Sequence, residues 1–226
     1  QIKSRRSFNY AQAVQGLRWL LWGMFIKVVV ADTLGMRIHV VLDNYQNNPG
    51  IMCMACAFFY SFQIYCDFAG YSFMAVGVGE LLGFELINNF RRPYFSQTVT
   101  EFWHRWHISL STWLKDYIYI PLGGNRCSKL RNYFNIFVTF FVSGVWHGAN
   151  WTFIVWGILH GLFQIIEKFL GINKVQSTGG IKWLRVISTF LLVTFAWIFF
   201  RMPTLADACA VIMKIFTDHT GQFVGV

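Results

Sequence analysis

The residues best suited to chemistry fall in one stretch, Glu101–Trp151, which reads EFWHRWHISLSTWLKDYIYIPLGGNR, a short basic loop, then NYFNIFVTFFVSGVWHGANW. It holds three of the six histidines and five of the ten tryptophans. Titratable groups stand here inside apolar sequence, where a spare charge or an unpaired donor is costly. His147 is the sharpest candidate. It lies in SGVWHGAN, between Gly144 and Gly148 and beside Trp146 and Trp151. A low dielectric favours the neutral imidazole, the form that a general base requires. The flanking glycines suggest room for a ligand; the competing reading is a core histidine bonded to a neighbouring helix.

His107 stands four residues before Ser111, within an aromatic series, so it is expected to face inward. It is either an active group or a packed, satisfied histidine. His104 falls on the polar side with Glu101 and Arg105 and is expected to face solvent or headgroups. Asp67, in QIYCDFAGY, is an acid at membrane depth that could orient a histidine or pair with Arg91, Arg92 or Arg105. Asp116, between Lys115 and Tyr117, reads as a structural ion-pair member.

H-R-W-H resembles part of a di-iron histidine box, but such sites need many converging imidazoles or carboxylates. His39, His160 and His219 stand alone, so no metal and no bound cofactor is expected, and His160 reads as core. Cys53 and Cys56 form a C-x-x-C inside an apolar run with no charged activator, which fits buried, inert thiols. No Walker loop, strand-linked G-x-G-x-x-G or G-x-S-x-G elbow is present.

Composition sets the surroundings of these groups. The 226 residues are 55% hydrophobic and 19% aromatic with only 13% charged, about half the charged share of a soluble domain. Such a chain belongs in a bilayer. The net charge of +9 comes from basic residues that flank apolar runs, as at membrane boundaries, and form no stripe that would suit nucleic acid.

The elements follow from periodicity. Residues 11–41 read as a helix buried among others, interrupted by Arg18, Lys27, Asp32 and Arg37, with a second, interfacial helix after Asp32. DNYQNNPG (43–50) is a loop. A helix from Ile51 is expected to bend at Ala69-Gly70 and continue to Phe84, with Gly77, Gly79 and Gly83 giving a small-residue face. Thr98 or Thr100 caps the next helix. There Trp103, Trp106, His107, Leu110, Trp113, Leu114 and Tyr117 fall on one continuous helical stripe, ended by Pro121.

Residues 132–166 carry no formal charge, about 52 Å of helix at ~1.5 Å per residue against a ~30 Å hydrocarbon core. A break is expected at Ser143-Gly144 or at His147-Gly148-Ala149, where a short tilted or re-entrant helix meets a longer one. Two crossings would return the basic loops 126–131 and 168–185 to one side. Trp183–Phe200 is a further span, and Pro203 opens an amphipathic segment through Phe216. The sum is an all-α, polytopic bundle of five or six membrane helices with amphipathic or re-entrant pieces. It forms one membrane domain over 1–226, expected to be a fragment of a longer protein.

Four runs together, YSFQIYCDFAGYSFMAVGVGELLGFEL, NFRRPYF, FWHRWHISLSTWLKDYIYIPLGGNR and VSGVWHGANWTFIVWGILHG, resemble the membrane-bound O-acyltransferase family, closest to its alginate O-acetyltransferase branch. The resemblance implies a multi-helix enzyme with a funnel or tunnel, moving an acyl group to a hydroxyl. The family's two signature histidines map onto His107 and His147, with His147 catalytic. Many relatives read FSGYSD where this chain has FAGYSF, so Ala69 and Phe73 remove a second acid. Many carry Arg at the place of His104.

The function so implied is acyl transfer from a cytoplasmic thioester, acetyl-CoA or an acyl carrier, to a polysaccharide or cell-wall polymer across a bacterial cytoplasmic membrane. Transfer is direct or through a periplasmic or extracellular acyltransferase partner. His147 would act as base and His107 would orient a substrate, while Asp67, Trp106, Ser111, Trp146 and Asn150 shape the passage. The alternatives are a non-catalytic channel or scaffold for a secreted acetyltransferase, D-alanyl transfer to teichoic acid, and a metal-dependent oxygenase.

Overall fold

The computed structural model describes residues 7–218; the basic opening with Lys3, Arg5 and Arg6, and His219, lie outside them. Every regular element among the described residues is helical: α1 (Tyr10–Met24), a π-helical stretch (Phe25–Ala31), α2 (Asp32–Leu42), α3 (Gly50–Leu81), α4 (Val99–Arg105), α5 (Ile108–Leu114), a second π stretch (Lys115–Tyr119), α6 (Lys129–His147), α7 (Trp151–Phe169), α8 (Gly179–Arg201) and α9 (Leu205–Thr217), with short 3-10 turns between some of them. Among the described residues, α3, α7 and α8 are long and apolar enough to cross a membrane. Helix α6 is also 19 residues long, but Lys129, Arg131, Asn132 and Asn135 make its first two turns polar. The apolar side chains left exposed along α3 and α8, among them Phe58, Phe59, Leu184 and Leu191, are what a lipid-facing surface requires. The chain is a multi-pass membrane protein.

The first half is a close helix pair. α1 and its π extension run against α3, and the contact is made by glycine on both sides. A Cβ on Gly77 would lie 2.5 Å from the Gly16 carbonyl oxygen, and one on Gly23 would lie 2.6 Å from that of Gly70. Spacings of seven residues in both helices put both pairs on one seam, so the backbones touch where lipid offers no hydrophobic drive for association. The π stretch fits the charges it carries. Its wider turn brings Lys27 onto Asp32 five residues later, and the same ammonium reaches Asp67 of α3 at 2.9 Å. Asp67 therefore pairs with Lys27 and not with Arg91, Arg92 or Arg105. α3 itself runs unbroken through Ala69-Gly70, because Gly70 serves the seam and not a bend.

The second half departs from the expected stripe. Thr98 caps α4, accepting from the Glu101 backbone N–H at 3.0 Å, and Glu101 returns to accept from the Gln97 N–H at 2.7 Å. The cap was legible; the continuity was not. The chain leaves helical geometry at Trp106 and turns left-handed at His107 (φ 45°, ψ 56°) before α5 begins. Trp103, Trp106, Leu110 and Leu114 stay buried, but Trp113 and Tyr117 are 48% and 68% exposed. The break and the π stretch behind it rotate the last turns outward. Asp116 is exposed and has no ion pair among the described residues.

The uncharged run breaks at Gly148–Asn150, the second of the two expected places, into helices of equal length and not a short one and a longer one. α6 and α7 pack through glycine: a Cβ on Gly157 would lie 2.4 Å from the Phe140 carbonyl oxygen, and one on Gly144 2.5 Å from that of Phe153. At the far end of this pair the start of α6 and the end of α7 come together. Lys168 of α7 donates to Asn125 Oδ1 at 2.9 Å and also to Asn132 Oδ1.

Candidate functional site

Two backbone features set His107 and His147 in place. His147 is the last residue of α6, and Asn150 caps α7, its Oδ1 accepting from the Thr152 N–H (3.2 Å) while its Nδ2 donates to the Pro203 carbonyl (2.8 Å). This ties the α6–α7 corner to the start of α9. The glycines around His147 do not leave open room: a Cβ on Gly148 would sit 2.7 Å from the Phe153 ring. The space expected for a ligand there is filled by Phe153 and by the α7 backbone, since those glycines serve the helix crossing.

His107 is held by a residue that periodicity could not point to. Asn89, in the loop after α3, accepts the Ile108 N–H on its backbone carbonyl (3.1 Å) and the Ser109 N–H on its Oδ1 (3.0 Å), and donates from Nδ2 to Ser72 of α3 (3.1 Å). Arg91 N–H adds a bond to the Arg105 carbonyl at 2.9 Å. A left-handed non-glycine residue costs about 1–3 kcal/mol and persists where its surroundings over-determine it. The only hint in the sequence is polar NN directly before FRRPYF.

These elements bring the two histidines to one indole. Trp146 stands 5.0 Å from the His147 ring centroid and 6.2 Å from that of His107. His147 is further walled by Trp156 (4.9 Å) and Phe200 (5.2 Å), and His107 by Phe68 (4.6 Å). Both imidazoles are half-buried. Trp106 is buried at the centre of the aromatic core, on Phe102 and Trp197. Ser111 donates to the Trp106 carbonyl at 3.3 Å, bracing the break. Asp67 is held by Lys27, and no bond from it to an imidazole is present among the described residues. His104 is exposed, as expected.

A cavity of about 510 Å³ lies between α4–α5 and α6–α7. It is lined by Trp103, His104, Ser111, Lys115, Gln164 and Lys168, among others, with no carboxylate in its wall. Of the residues expected to shape a passage, Ser111 alone lines it; His107 and His147 do not. No grouping of three or more His, Cys, Asp or Glu that could hold a metal ion occurs among the described residues, and all five cysteines are free, Cys53 and Cys56 buried.

Helix α4 is fixed over the cavity by an acid from α7. Buried Glu167 accepts from Val99 N–H (2.5 Å), Thr100 N–H (2.9 Å) and Thr100 Oγ1 (2.8 Å), setting negative charge at a helix start where the backbone dipole favours it.

The chain is similar to known proteins over nearly all its length. It is 41% identical to the probable alginate O-acetylase AlgI of Pseudomonas aeruginosa over 220 residues, which is 97% of this chain and 42% of that protein. It is 39% identical to the peptidoglycan O-acetyltransferase of Helicobacter pylori, covering 93% of this chain and 40% of that protein. It is 31% identical to the teichoic acid D-alanyltransferase of Streptococcus thermophilus, covering 78% and 48% respectively. The chain thus spans half or less of the length of the curated relatives it matches. The model of the membrane-bound O-acyltransferase family matches residues 4–205, and with helices at membrane length and the two histidines brought to one tryptophan, the chain belongs to the membrane-bound O-acyltransferase family.

Proposed function

We propose that this chain forms the acyl-transferring part of a multi-pass O-acyltransferase in a bacterial cytoplasmic membrane. It moves an acetyl or similarly small acyl group from a cytoplasmic thioester toward hydroxyls of an extracytoplasmic polysaccharide or cell-wall polymer, directly or through a periplasmic or extracellular partner. The observation that carries this reading is the pairing of half-buried His107 and His147 across the exposed ring of Trp146, at the broken ends of two helices beside the aromatic core. His147 removes the proton of the accepting hydroxyl as its oxygen attacks the thioester carbonyl. The tetrahedral intermediate collapses, the C–S bond breaks, and the departing thiolate takes up the proton. His107 orients the reacting groups, and Trp106, Trp146, Ser111 and Asn150 hold the two imidazoles in register. Asp67 contributes through the Lys27 pair that fixes α3 beside them.

The cavity below α4 suits the donor. Lys115, Lys168 and His104 line it without a compensating acid, as an anionic thioester carrier needs. The relatives named as O-acetyltransferases and D-alanyltransferases support a hydroxyl acceptor. The test is His147→Ala in the full-length protein, with polymer-bound acetate measured at matched expression. Loss of about two to four decades in rate is expected from removing a general base, and unchanged acetylation at normal protein level would end the assignment.

A further inference from the structure

Behind the proposed base lies a third histidine that the reaction as written does not use. His160, on α7, is fully buried. Its Nδ1 accepts from the Trp103 indole N–H at 3.2 Å. An indole nitrogen can only donate, so Nδ1 carries no hydrogen and the neutral ring holds its proton on Nε2. That Nε2 is buried and has no partner, and neither has the indole N–H of Trp156, although a buried polar group left unpaired costs about 1–3 kcal/mol.

The rings alternate without a gap. From His107 the file runs to Trp146, to His147 (5.0 Å), to Trp156 (4.9 Å), to His160 (5.0 Å) and to Trp103 (5.1 Å), with the last four contacts edge-to-face. Trp103 also lines the cavity. His160 is therefore the polar joint between the wall of the cavity and the indole on which His147 rests. A leucine or phenylalanine would fill its volume, but only an acceptor at Nδ1 can hold the Trp103 indole at the angle seen.

We propose that His160, fixed as its Nε2-protonated tautomer by Trp103, is a positioning residue that sets Trp156 and, through it, the ring of His147 relative to the donor cavity. The inference rests on the reading of His147 as the base. It needs no contact between His160 and substrate, and no proton passes through the indoles.

The experiment uses the full-length protein in lipid nanodiscs with 15N-imidazole histidine. The expected signals put the His160 proton on Nε2, and His160→Phe shifts the ring signals of His147. In turnover, His160→Phe is expected to lower kcat about tenfold to a hundredfold, the scale of a misplacement near 1 Å, with a smaller change in KM for the thioester, since Trp103 is one wall residue among many. His160→Asn keeps an acceptor near the Nδ1 position and is expected to restore most of kcat. Should His160→Phe not fold, Trp103→Phe tests the same joint, with the His160 tautomer and the His147 signals both expected to change. A His160 proton on Nδ1, unshifted His147 signals, or an Asn variant no better than Phe would overturn the proposal. A His147→Ala enzyme with normal turnover would instead sink the assignment of the base and leave the ring signals to decide the joint.

Discussion

The α1–α3 pair and the α4–α7 group are built from similar apolar helices, yet they handle backbone and polarity in opposite ways. In α1–α3, glycine faces glycine at two levels of one seam, the helices run on without a break, and the half-buried cation Lys27 has two carboxylates. In α4–α7, the chain breaks twice, His107 is left-handed, and Trp156 and His160 carry buried nitrogens with no partner. A membrane domain made only to persist would favour the unbroken helices and facing glycines of the first half, where Glu80 Oε2 of α3 is the buried side-chain oxygen left without a partner or ion pair among the described residues. Where the second half tolerates strain and orphan donors, the structure is organised for something other than stability.

That contrast predicts which substitutions change folding and which change turnover. The largest effect on stability belongs to the seam. Gly77→Val forces a side chain against the Gly16 carbonyl and is expected to destabilise by about 3 kcal/mol, the upper range for overpacking. It would be read as a lower thermal midpoint in detergent, with activity per folded molecule retained. A seam variant as stable as the parent would erase the distinction between the halves.

Glu167 comes next. Glu167→Ala strips three donors at the start of α4 of their acceptor and is expected to cost about 2 kcal/mol. Because α4 roofs the cavity, apparent affinity for the thioester should weaken alongside the loss of stability. Loss of stability alone would make Glu167 a fastener like the seam glycines.

Asn89→Ala should behave in the opposite manner to Gly77→Val. It removes the side-chain bonds to Ser109 and Ser72 but leaves the backbone bond to Ile108, so about 1 kcal/mol of stability is at stake. Turnover is expected to fall about tenfold or more as His107 loses its fixed geometry. Asn89→Asp keeps the acceptor for Ser109 and should fall between the two. Turnover that tracks only the amount of folded protein would sink the positioning role.

The smallest effect is electrostatic and lies at the rim. Burial alone would raise the Asp43 carboxyl, but hydrogen bonds from His39 and Arg201, with their charges, hold it below the usual carboxylate range. A depressed folded-state value stabilises above the unfolded carboxyl pKa and fades as pH falls through the folded one. Asp43→Asn should therefore cost less than about 1 kcal/mol near neutrality, as for an exposed pair. The difference from the parent should begin to shrink near pH ~4, the unfolded carboxyl value, and disappear only below the lowered folded one. A gap that widened in acid would reverse the sign.

Much of this was legible beforehand, for local reasons. The Thr98 cap, the loop at 43–50 and the corner before Asn150 all follow from side chains a few residues apart. The inward face of Trp103, Trp106 and Leu110 was legible too. The stripe failed after His107, where Trp113 and Tyr117 turn outward. Asp67 paired with a lysine 40 positions earlier, which no spacing within its own helix points to. The glycines beside His147 were visible, but their purpose was not, because Phe153 approaches from the next helix.

The sequence by itself determined that the chain is helical, that it belongs in lipid, and which two imidazoles sit among indoles. Those properties depend on composition and on hydrogen bonds closed within a few residues. Only the tertiary structure decided that His107 leaves the helix, that one tryptophan serves both imidazoles, and that a third histidine joins them to the cavity. A left-handed residue is unfavourable in isolation, and this one exists because Asn89 and Ser72, distant in sequence, supply the bonds that hold it.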